Sequence, residues 1–134
     1  MKAVFADTFC YIAALDVADA AHQKVAQFLA HYDGFMVTTR WILTETANAL
    51  CSRNTREVAA SFLLEVENDP ATIIVKHSDE LYHQGLKLYA ERSDKNWSLT
   101  DCISFVVMEE HGLSEALTGD HHFKQAGYRA LFAS

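Results

Sequence analysis

Short apolar runs alternate with longer amphipathic stretches along most of the sequence, and this alternation constrains the fold more than any other feature. Runs such as AVFA at residues 3–6 and TIIV at 72–75 have the length and composition of strands. The stretches between the runs are long enough for helices, and helices that join consecutive strands produce parallel pairs with right-handed crossovers. The sequence therefore predicts an α/β sandwich.

The turn, cap and periodicity signals give boundaries for these elements. Strands are predicted at 3–6, 35–38, 72–75, 116–118 and 128–132, the third as a buried strand and the last as an edge strand. Helices are predicted at 18–32, 39–50, 55–68, 78–91, 98–112 and 120–127. Thr38 or Thr39 is placed to cap the second helix, and Ser78 the fourth. Because no repeat, low-complexity segment or linker interrupts the chain, we expect a single domain over residues 1–134.

Composition narrows the functional classes. With 134 residues, 50% of them hydrophobic, the chain can bury a real core. Cys10, Cys51 and Cys102 lack C-x-x-C spacing and cannot all pair, which favours a reducing compartment and a cytoplasmic protein. The apolar run at the N-terminus ends at Asp7, too early for a signal sequence or a membrane span. The net charge of −7 argues against a generally basic nucleic-acid surface.

Four acids stand near the ends of predicted elements. Asp7 ends the first strand, and Asp120 follows the fourth strand by two residues. Asp101 lies in the first turn of the helix before that strand, and Glu45 lies on the helix after the second strand. Ligands of open parallel sheets bind outside the carboxyl ends of the strands, so we expect these acids to converge there.

Convergence of the acids would require a cation or the uptake of protons. Two like charges about 4 Å apart cost roughly 4 kcal/mol at an effective dielectric of 20. A set of oxygen donors without cysteine matches Mg²⁺ or Mn²⁺, ions that activate water and neutralise charge at a phosphodiester. Alternatively, Asp101 and Asp120 only cap helices and Glu45 is a solvated helix residue. Asp7 is harder to explain in that way, because a buried unpaired carboxylate is costly.

Four segments in this order resemble bacterial PIN domains. They are VFADT at 4–8, TETANAL at 44–50, WSLTDC at 97–102 and ALTGDHHFKQAG at 116–127. The resemblance covers nearly the whole chain and implies a three-layer α/β/α sandwich on a mostly parallel five-stranded sheet. It also implies Mg²⁺- or Mn²⁺-dependent endonucleolytic cleavage of RNA. Bulk acidity is the chief departure from what an RNA-binding protein is expected to show.

The resemblance assigns roles to six residues of this sequence. Asp7 and Asp101 would be direct metal ligands, and Asp120 a ligand of a second metal site. Glu45 would be a ligand or would orient the attacking water. Thr8 and Thr118 would support the cluster by hydrogen bonds.

Contacts to RNA would come from local cations. Arg40, Arg53 and Arg56 near Glu45, and Lys95 near Asp101, are the candidates for phosphate contacts, with solvated surface charge as the alternative.

Trp97 and the neighbouring His121 and His122 each have a structural as well as a functional interpretation. Trp97 is expected to pack at a helix start rather than to stack on a base. His121 and His122 suggest a metal pair, but after a capping Asp120 we expect them to be surface or loop residues.

Small PIN proteins of this size resemble the toxins of VapBC-type toxin–antitoxin systems. That resemblance implies a homodimer and a small antitoxin protein as partner. Apolar side chains on the helices between residues 18 and 64 could supply the contact surface, although core packing is favoured for them: Phe28, Trp41, Phe62 and Leu63.

The residues around Asp7 exclude two other protein classes, and one alternative function remains. A receiver domain needs an acidic pair after the first strand, and a haloacid-dehalogenase-type phosphatase needs an aspartate two positions after Asp7, where Phe9 stands. The remaining alternative is a catalytically silent PIN fold that serves as an RNA-binding or protein-interaction module. The presence of all four acids favours the enzyme.

Overall fold

Five parallel strands form one sheet in the computed structural model, which describes residues 2–134 and leaves Met1 outside. In chain order they are β1 (Ala3–Ala6), β2 (Phe35–Thr39), β3 (Thr72–Val75), β4 (Glu115–Leu117) and β5 (Arg129–Ala130). The spatial order is β3-β2-β1-β4-β5, and each neighbouring pair is parallel. The predicted parallel α/β fold is confirmed.

Seven helices join the strands within the described residues. They are α1 (Thr8–Leu15), α2 (His22–His31), α3 (Arg40–Ala49), α4 (Arg56–Val66), α5 (Asp79–Glu91), α6 (Leu99–Glu110) and α7 (His121–Gln125). The chain moves from β1 outward to β3 and then returns across β1 to β4 and β5. Because crossovers are right-handed, this reversal places α1 to α4 on one face and α5 to α7 on the other. The helix contacts fall into the same two groups.

The central strand β1 fixes the core. Val4, Phe5 and Ala6 are at most 1% exposed, and the Phe5 ring lies 6.2 Å from that of Phe123 in α7. The apolar helix α6 packs here too, with Ile103 and Phe105 buried. Strands buried on both faces read as continuous apolar runs, which is why the sequence signal for β1 is clear.

Three helices are capped by residues that the sequence predicted for that role. Of the two threonines considered for α3, Thr39 is the cap, and its hydroxyl accepts a hydrogen bond from the Ile42 amide. Ser78 caps α5 in the same way. Ser98 caps α6 in a full capping box, in which its backbone amide donates to the Asp101 carboxylate.

The structure differs from the sequence-based predictions in two elements. No element was predicted for residues 8–15, but α1 forms there. The helix was missed because the nearly all-apolar TFCYIAAL lacks the polar face that marks an amphipathic helix. Strand β3 was expected to be buried, but it lies at the sheet edge with Ile73 45% exposed. A run of β-branched residues indicates a strand without showing its place in the sheet.

Several boundaries also differ from those expected. Helix α2 begins at His22 rather than at residue 18, because Asp16 and Asp19 organise turns before it by accepting hydrogen bonds from Ala18 and Ala21. Helix α4 ends at Val66, α6 at Glu110, and β5 covers only two residues. No helix within residues 2–134 is both long and apolar enough to cross a membrane.

Candidate active site

The reversal of strand order places the ends of β1 and β4 side by side, and an open cleft lies outside them. Ala6 pairs with Leu117, so Asp7 and Thr118 leave the sheet as neighbours. The cleft has a volume of about 480 Å³. All four acids line it, together with residues from three loops and helix starts: Asp7, Thr8, Phe9, Glu45, Asn96, Ser98, Asp101, Asp120 and His122.

Asp7 is the most enclosed of the acids. It precedes α1 in an extended conformation, and the residue is only 7% exposed. One carboxylate oxygen accepts a hydrogen bond of 2.8 Å from the Thr118 hydroxyl. Burial, together with smaller contributions from the charges of Asp101 and Glu45, raises the pKa of Asp7 to about 7 against the opposing effect of that hydrogen bond. Asp7 therefore lacks compensating positive charge.

Thr118 connects two of the acids. Its hydroxyl donates to Asp7 and accepts a hydrogen bond of 3.0 Å from the Asp120 amide. The residue is completely buried. Both capacities of the hydroxyl are thus used within the cleft wall, which holds the turn after β4 against the end of β1.

Asp101 completes a helix cap and also lines the cleft. Its Oδ2 accepts from the Ser98 amide at 3.1 Å, completing the capping box, while the side chain faces the cleft. Burial raises the pKa of Asp101, and the nearby charge of Asp120 adds to this effect. The start of α6 therefore reaches the same cleft as the ends of β1 and β4, as convergence with the other acids requires.

Asp120 and Glu45 complete the ring from opposite sides. Asp120 caps α7 and accepts a hydrogen bond of 2.9 Å from the His122 amide. Glu45 is an exposed residue on α3 that reaches the rim, where it accepts a hydrogen bond from the Thr8 hydroxyl.

His122 belongs to the cleft, although the sequence indicated a surface or loop position. Its Nδ1 lies 3.1 Å from Asp101 Oδ2 and 3.3 Å from Asp120 Oδ1, with the side chain 21% exposed. The signal was its position two residues after the capping Asp120, where the His122 amide donates to the Asp120 carboxylate and the ring is held near the cap. Ser98 and Asn96 also line the cleft and were not predicted as site residues.

None of the four cations proposed for RNA contacts lines the cleft, but Lys95 is next in sequence to Asn96, which does. Lys95 lies in the loop beside Asn96 and Ser98 and is 4.0 Å from the exposed Asp94. Arg40 instead forms a bidentate pair with Glu67 in a different groove.

The other two arginines are exposed. Arg53 lies in the turn before α4, and Arg56 donates to the Cys51 carbonyl at 3.0 Å. The role of these cations in RNA binding stays a prediction.

Trp97 is a packing residue, as expected. It is 6% exposed, its ring meets Phe105 edge-on at 5.0 Å, and its indole N–H donates to Gln125 at 3.0 Å. Arg92 covers the ring at 4.9 Å. Trp97 thus fixes the start of α6 rather than offering a free face to a base.

The acidic cleft outside the ends of β1 and β4 agrees with the similarity to known proteins. The profile of the PIN domain matches residues 4–127. The chain belongs to the PIN-domain family. The match confirms the resemblance drawn from the four motifs, and PIN nucleases generally use divalent metals.

Similar proteins carry the VapC name. The 23S rRNA-specific endonuclease VapC20 of Mycobacterium tuberculosis, in strains CDC 1551 / Oshkosh and H37Rv, is 26% identical over 129 residues, covering 93% of this chain and 95% of the relative. The crystal structure of M. tuberculosis VapC20, a Sarcin-Ricin loop cleaving toxin, matches with a TM-score of 0.85 at 22% identity, covering 93% and 95% of the two chains. The structural likeness supports the same fold.

Proposed function

We propose that this protein is a Mg²⁺- or Mn²⁺-dependent endoribonuclease and the toxin component of a toxin–antitoxin pair. The observation that carries the proposal is the burial of Asp7 in a cleft shared with Asp101, Asp120 and Glu45. The family and the RNA endonuclease activity named for VapC20 support the same conclusion.

The residues of the cleft fit a hard divalent ion. Asp7 has a pKa of about 7 in the metal-free protein, so the site holds the carboxylate charge poorly without a cation. The acids supply oxygen donors, which Mg²⁺ and Mn²⁺ prefer. Asp7 and Asp101 would hold the ion, and Asp120 would serve a second position.

The chain's own groups divide the remaining work. A bound divalent ion supplies an activated water and neutralises charge on the phosphodiester. Glu45, at the solvent-exposed rim, is placed to accept a proton from the attacking water or to orient it, and the Thr8 hydroxyl fixes its carboxylate. Through its hydroxyl, Thr118 would hold the Asp7 carboxylate and the Asp120 backbone in fixed relative positions.

The net charge of −7 makes RNA binding depend on metal binding. The acids repel phosphate until a cation neutralises them, and none of the four cations proposed for RNA contacts lines the cleft, although Lys95 adjoins Asn96 at its wall. Arg53 and Arg56 lie farther along the chain, as candidates for contacts with a long or folded RNA. Arg40, paired with Glu67, is the weakest of the four.

The partners and the setting follow from the family. We infer a homodimer and a small antitoxin protein, as for VapC-type toxins. Phe28, Trp41, Phe62 and Leu63 are half-buried against the core, so an interface would use only their outer surfaces. One sheet with one continuous core supports a single domain over the chain. An RNA substrate and three free cysteines support a cytoplasmic protein.

Removing the charge of one ligand tests the function. We expect Asp101→Asn to lower divalent-dependent cleavage of a fluorogenic RNA by at least about 100-fold, because several kcal/mol of charge stabilisation depend on the metal. The matched control is Asp79→Asn, which changes an exposed acid at the start of α5 and should leave the rate unchanged. EDTA should abolish RNA cleavage by wild type and by Asp79→Asn.

Two results would contradict the proposal. Unchanged cleavage in both Asp101→Asn and Asp7→Asn would exclude this cleft as the catalytic site. No cleavage of any RNA, together with no binding of Mg²⁺ or Mn²⁺ by calorimetry, would instead identify a silent PIN-fold module.

A further inference from the structure

Three consecutive residues at one side of the cleft carry donors of a different kind. Asp120, His121 and His122 each place one potential ligand atom so that all three atoms lie within 4.8 Å of one another. Asp120 supplies oxygen and the two histidines supply nitrogen. We propose that Asp120, His121 and His122 form a mixed nitrogen–oxygen site that binds a transition-metal ion, Zn²⁺ in particular, and that its occupation inhibits the enzyme.

The spacing of these atoms suits a small tetrahedral ion. Bonds of about 2.0–2.1 Å from zinc to nitrogen and oxygen place neighbouring donors about 3.3 Å apart. His122 Nδ1 is 3.3 Å from Asp120 Oδ1, and His121 Nδ1 is 3.8 Å from the same oxygen. Only a small movement of the His121 ring is needed, and that side chain is 72% exposed and free to make it. A water would take the fourth position.

The donor types separate this site from the oxygen-lined position beside Asp7. Imidazole nitrogen suits Zn²⁺, Ni²⁺ and Cu²⁺, and affinity in such sites rises along the divalent series well above that for Mn²⁺. Mg²⁺ takes oxygen ligands and gains little from two imidazoles. The two sites therefore select different ions although they lie in one cleft.

Local contacts hold two of the three donors in place before any ion arrives. The His122 amide donates to Asp120 Oδ1 at 2.9 Å, and the Asp120 amide donates to the buried Thr118 hydroxyl. The His121 and His122 rings are 4.5 Å apart. Ligand groups fixed in this way lose little freedom on binding, which favours affinity.

Occupation of this site would change the acidic cleft. Asp120 is shared, and His122 Nδ1 lies 3.1 Å from Asp101 Oδ2, so an ion bound by His122 would take Asp120 from the oxygen-lined position and would place its positive charge beside Asp101. The inhibitory consequence rests on the proposed nuclease function, whereas the binding itself does not.

Zinc titration of the full chain tests the binding. We expect metal-free protein to bind Zn²⁺ in calorimetry and His121→Ala to bind it at least about tenfold more weakly, which equals about 1.4 kcal/mol. Mn²⁺ affinity of the same variant should stay within about twofold. The matched control is His83→Ala, which removes an exposed histidine from α5 and should leave Zn²⁺ affinity unchanged.

The ring resonances of His121 and His122 should shift together when Zn²⁺ is added, as seen by NMR. Equal Zn²⁺ affinity in wild type and His121→Ala would overturn the site. A parallel loss of Mn²⁺ affinity would also overturn it, because His121 would then serve the oxygen-lined position. No Zn²⁺ binding at all would do the same.

Inhibition is tested separately in the RNA cleavage assay. Zn²⁺ should inhibit Mg²⁺-supported cleavage by wild type, and His121→Ala should resist at least about tenfold more Zn²⁺ while keeping its basal rate. Equal inhibition of both proteins would overturn the inhibitory role. If the chain cleaves no RNA, the nuclease proposal fails and the calorimetry still decides the zinc site.

Discussion

The Thr118 hydroxyl sits between two acids that come from different strands. The hydroxyl donates a hydrogen bond to the Asp7 carboxylate and accepts one from the Asp120 amide, and the residue is fully buried. A hydroxyl can do both at once, whereas an apolar side chain of the same shape can do neither. The relative position of the two carboxylates therefore depends on a single atom of a residue that is not itself a ligand.

Replacement of Thr118 by valine keeps the shape and removes that atom. We expect Thr118→Val to lower the affinity for Mn²⁺ by about 10- to 100-fold, the usual effect of losing a group that orients a metal ligand. It should also lower the free energy of unfolding by about 1–3 kcal/mol, because a buried amide and a buried carboxylate lose their partner. Calorimetry and urea unfolding measure the two effects.

The matched variant Thr118→Ser keeps the hydroxyl and loses only a methyl group. Its Mn²⁺ affinity should stay close to that of wild type, although its stability should fall slightly through the lost packing. If Thr118→Ser and Thr118→Val lose Mn²⁺ affinity equally, the hydroxyl is not the group that positions the acids.

At the scale of elements, α5 packs against α6 and so supports the helix that carries Asp101. Gly85 in α5 faces Ile103 in α6, and a Cβ at Gly85 would lie 3.3 Å from the Ile103 backbone and closer still to its side chain. Both residues are buried. The helices approach closely at this point, two residues after Asp101 on α6, so their spacing affects the position of that acid.

We therefore expect Gly85→Ala to destabilise the protein by up to about 2 kcal/mol. The overpacking cost of roughly 1–3 kcal/mol exceeds the gain of about 1 kcal/mol from replacing a helical glycine. Urea unfolding measures the change. Gln84→Ala, at the exposed neighbouring position, is the control and should change stability by less than about 0.5 kcal/mol. A more stable Gly85→Ala protein would show that the two helices separate without cost.

The sequence predicted most elements because local signals and the fold agree. Caps at Thr39, Ser78 and Ser98 marked helix starts, and the β1 run marked the central strand. Helix α1 escaped prediction because both its faces are largely apolar, and the edge position of β3 is a property of the sheet rather than of the strand. The acids were found through element ends, whereas the contacts of His122 depend on how α7 meets α6.

At the scale of the whole molecule, the cleft opposes stability when no metal is bound. Folding encloses Asp7 beside other acids and moves its pKa from near 4 to about 7, so the native state binds more protons than the unfolded chain in that interval. Stability therefore falls as the pH rises from about 4 to about 7 and levels off above it. Asp7 makes the metal-free native state weakest where its carboxylate is ionised.

Chemical unfolding in EDTA should reveal this penalty. At pH 8 we expect Asp7→Asn to be more stable than wild type by on the order of 2–4 kcal/mol, because the amide carries no charge into the cleft. The difference should shrink as the pH falls toward 4, where the Asp7 carboxyl is protonated in the native state and about half protonated in the unfolded chain. Asp79→Asn, an exposed acid, serves as control and should show no such pH-dependent gain.

Mn²⁺ at about 1,000 times its dissociation constant should reverse the order, since an ion that binds only the native state then adds about 4.1 kcal/mol. A wild-type protein as stable as Asp7→Asn in EDTA at pH 8 would contradict the electrostatic account of the cleft.

The exposed edge strand β3 leaves backbone hydrogen-bonding groups on one side of the sheet, and Ile73 adds an apolar side chain there. Such edges can recruit strands from other molecules and start aggregation. Pro70 stands just before the strand and Lys76 just after it, residue types that discourage this pairing. Both residues flank the edge strand farthest from β5, where we expect them to limit strand pairing between molecules.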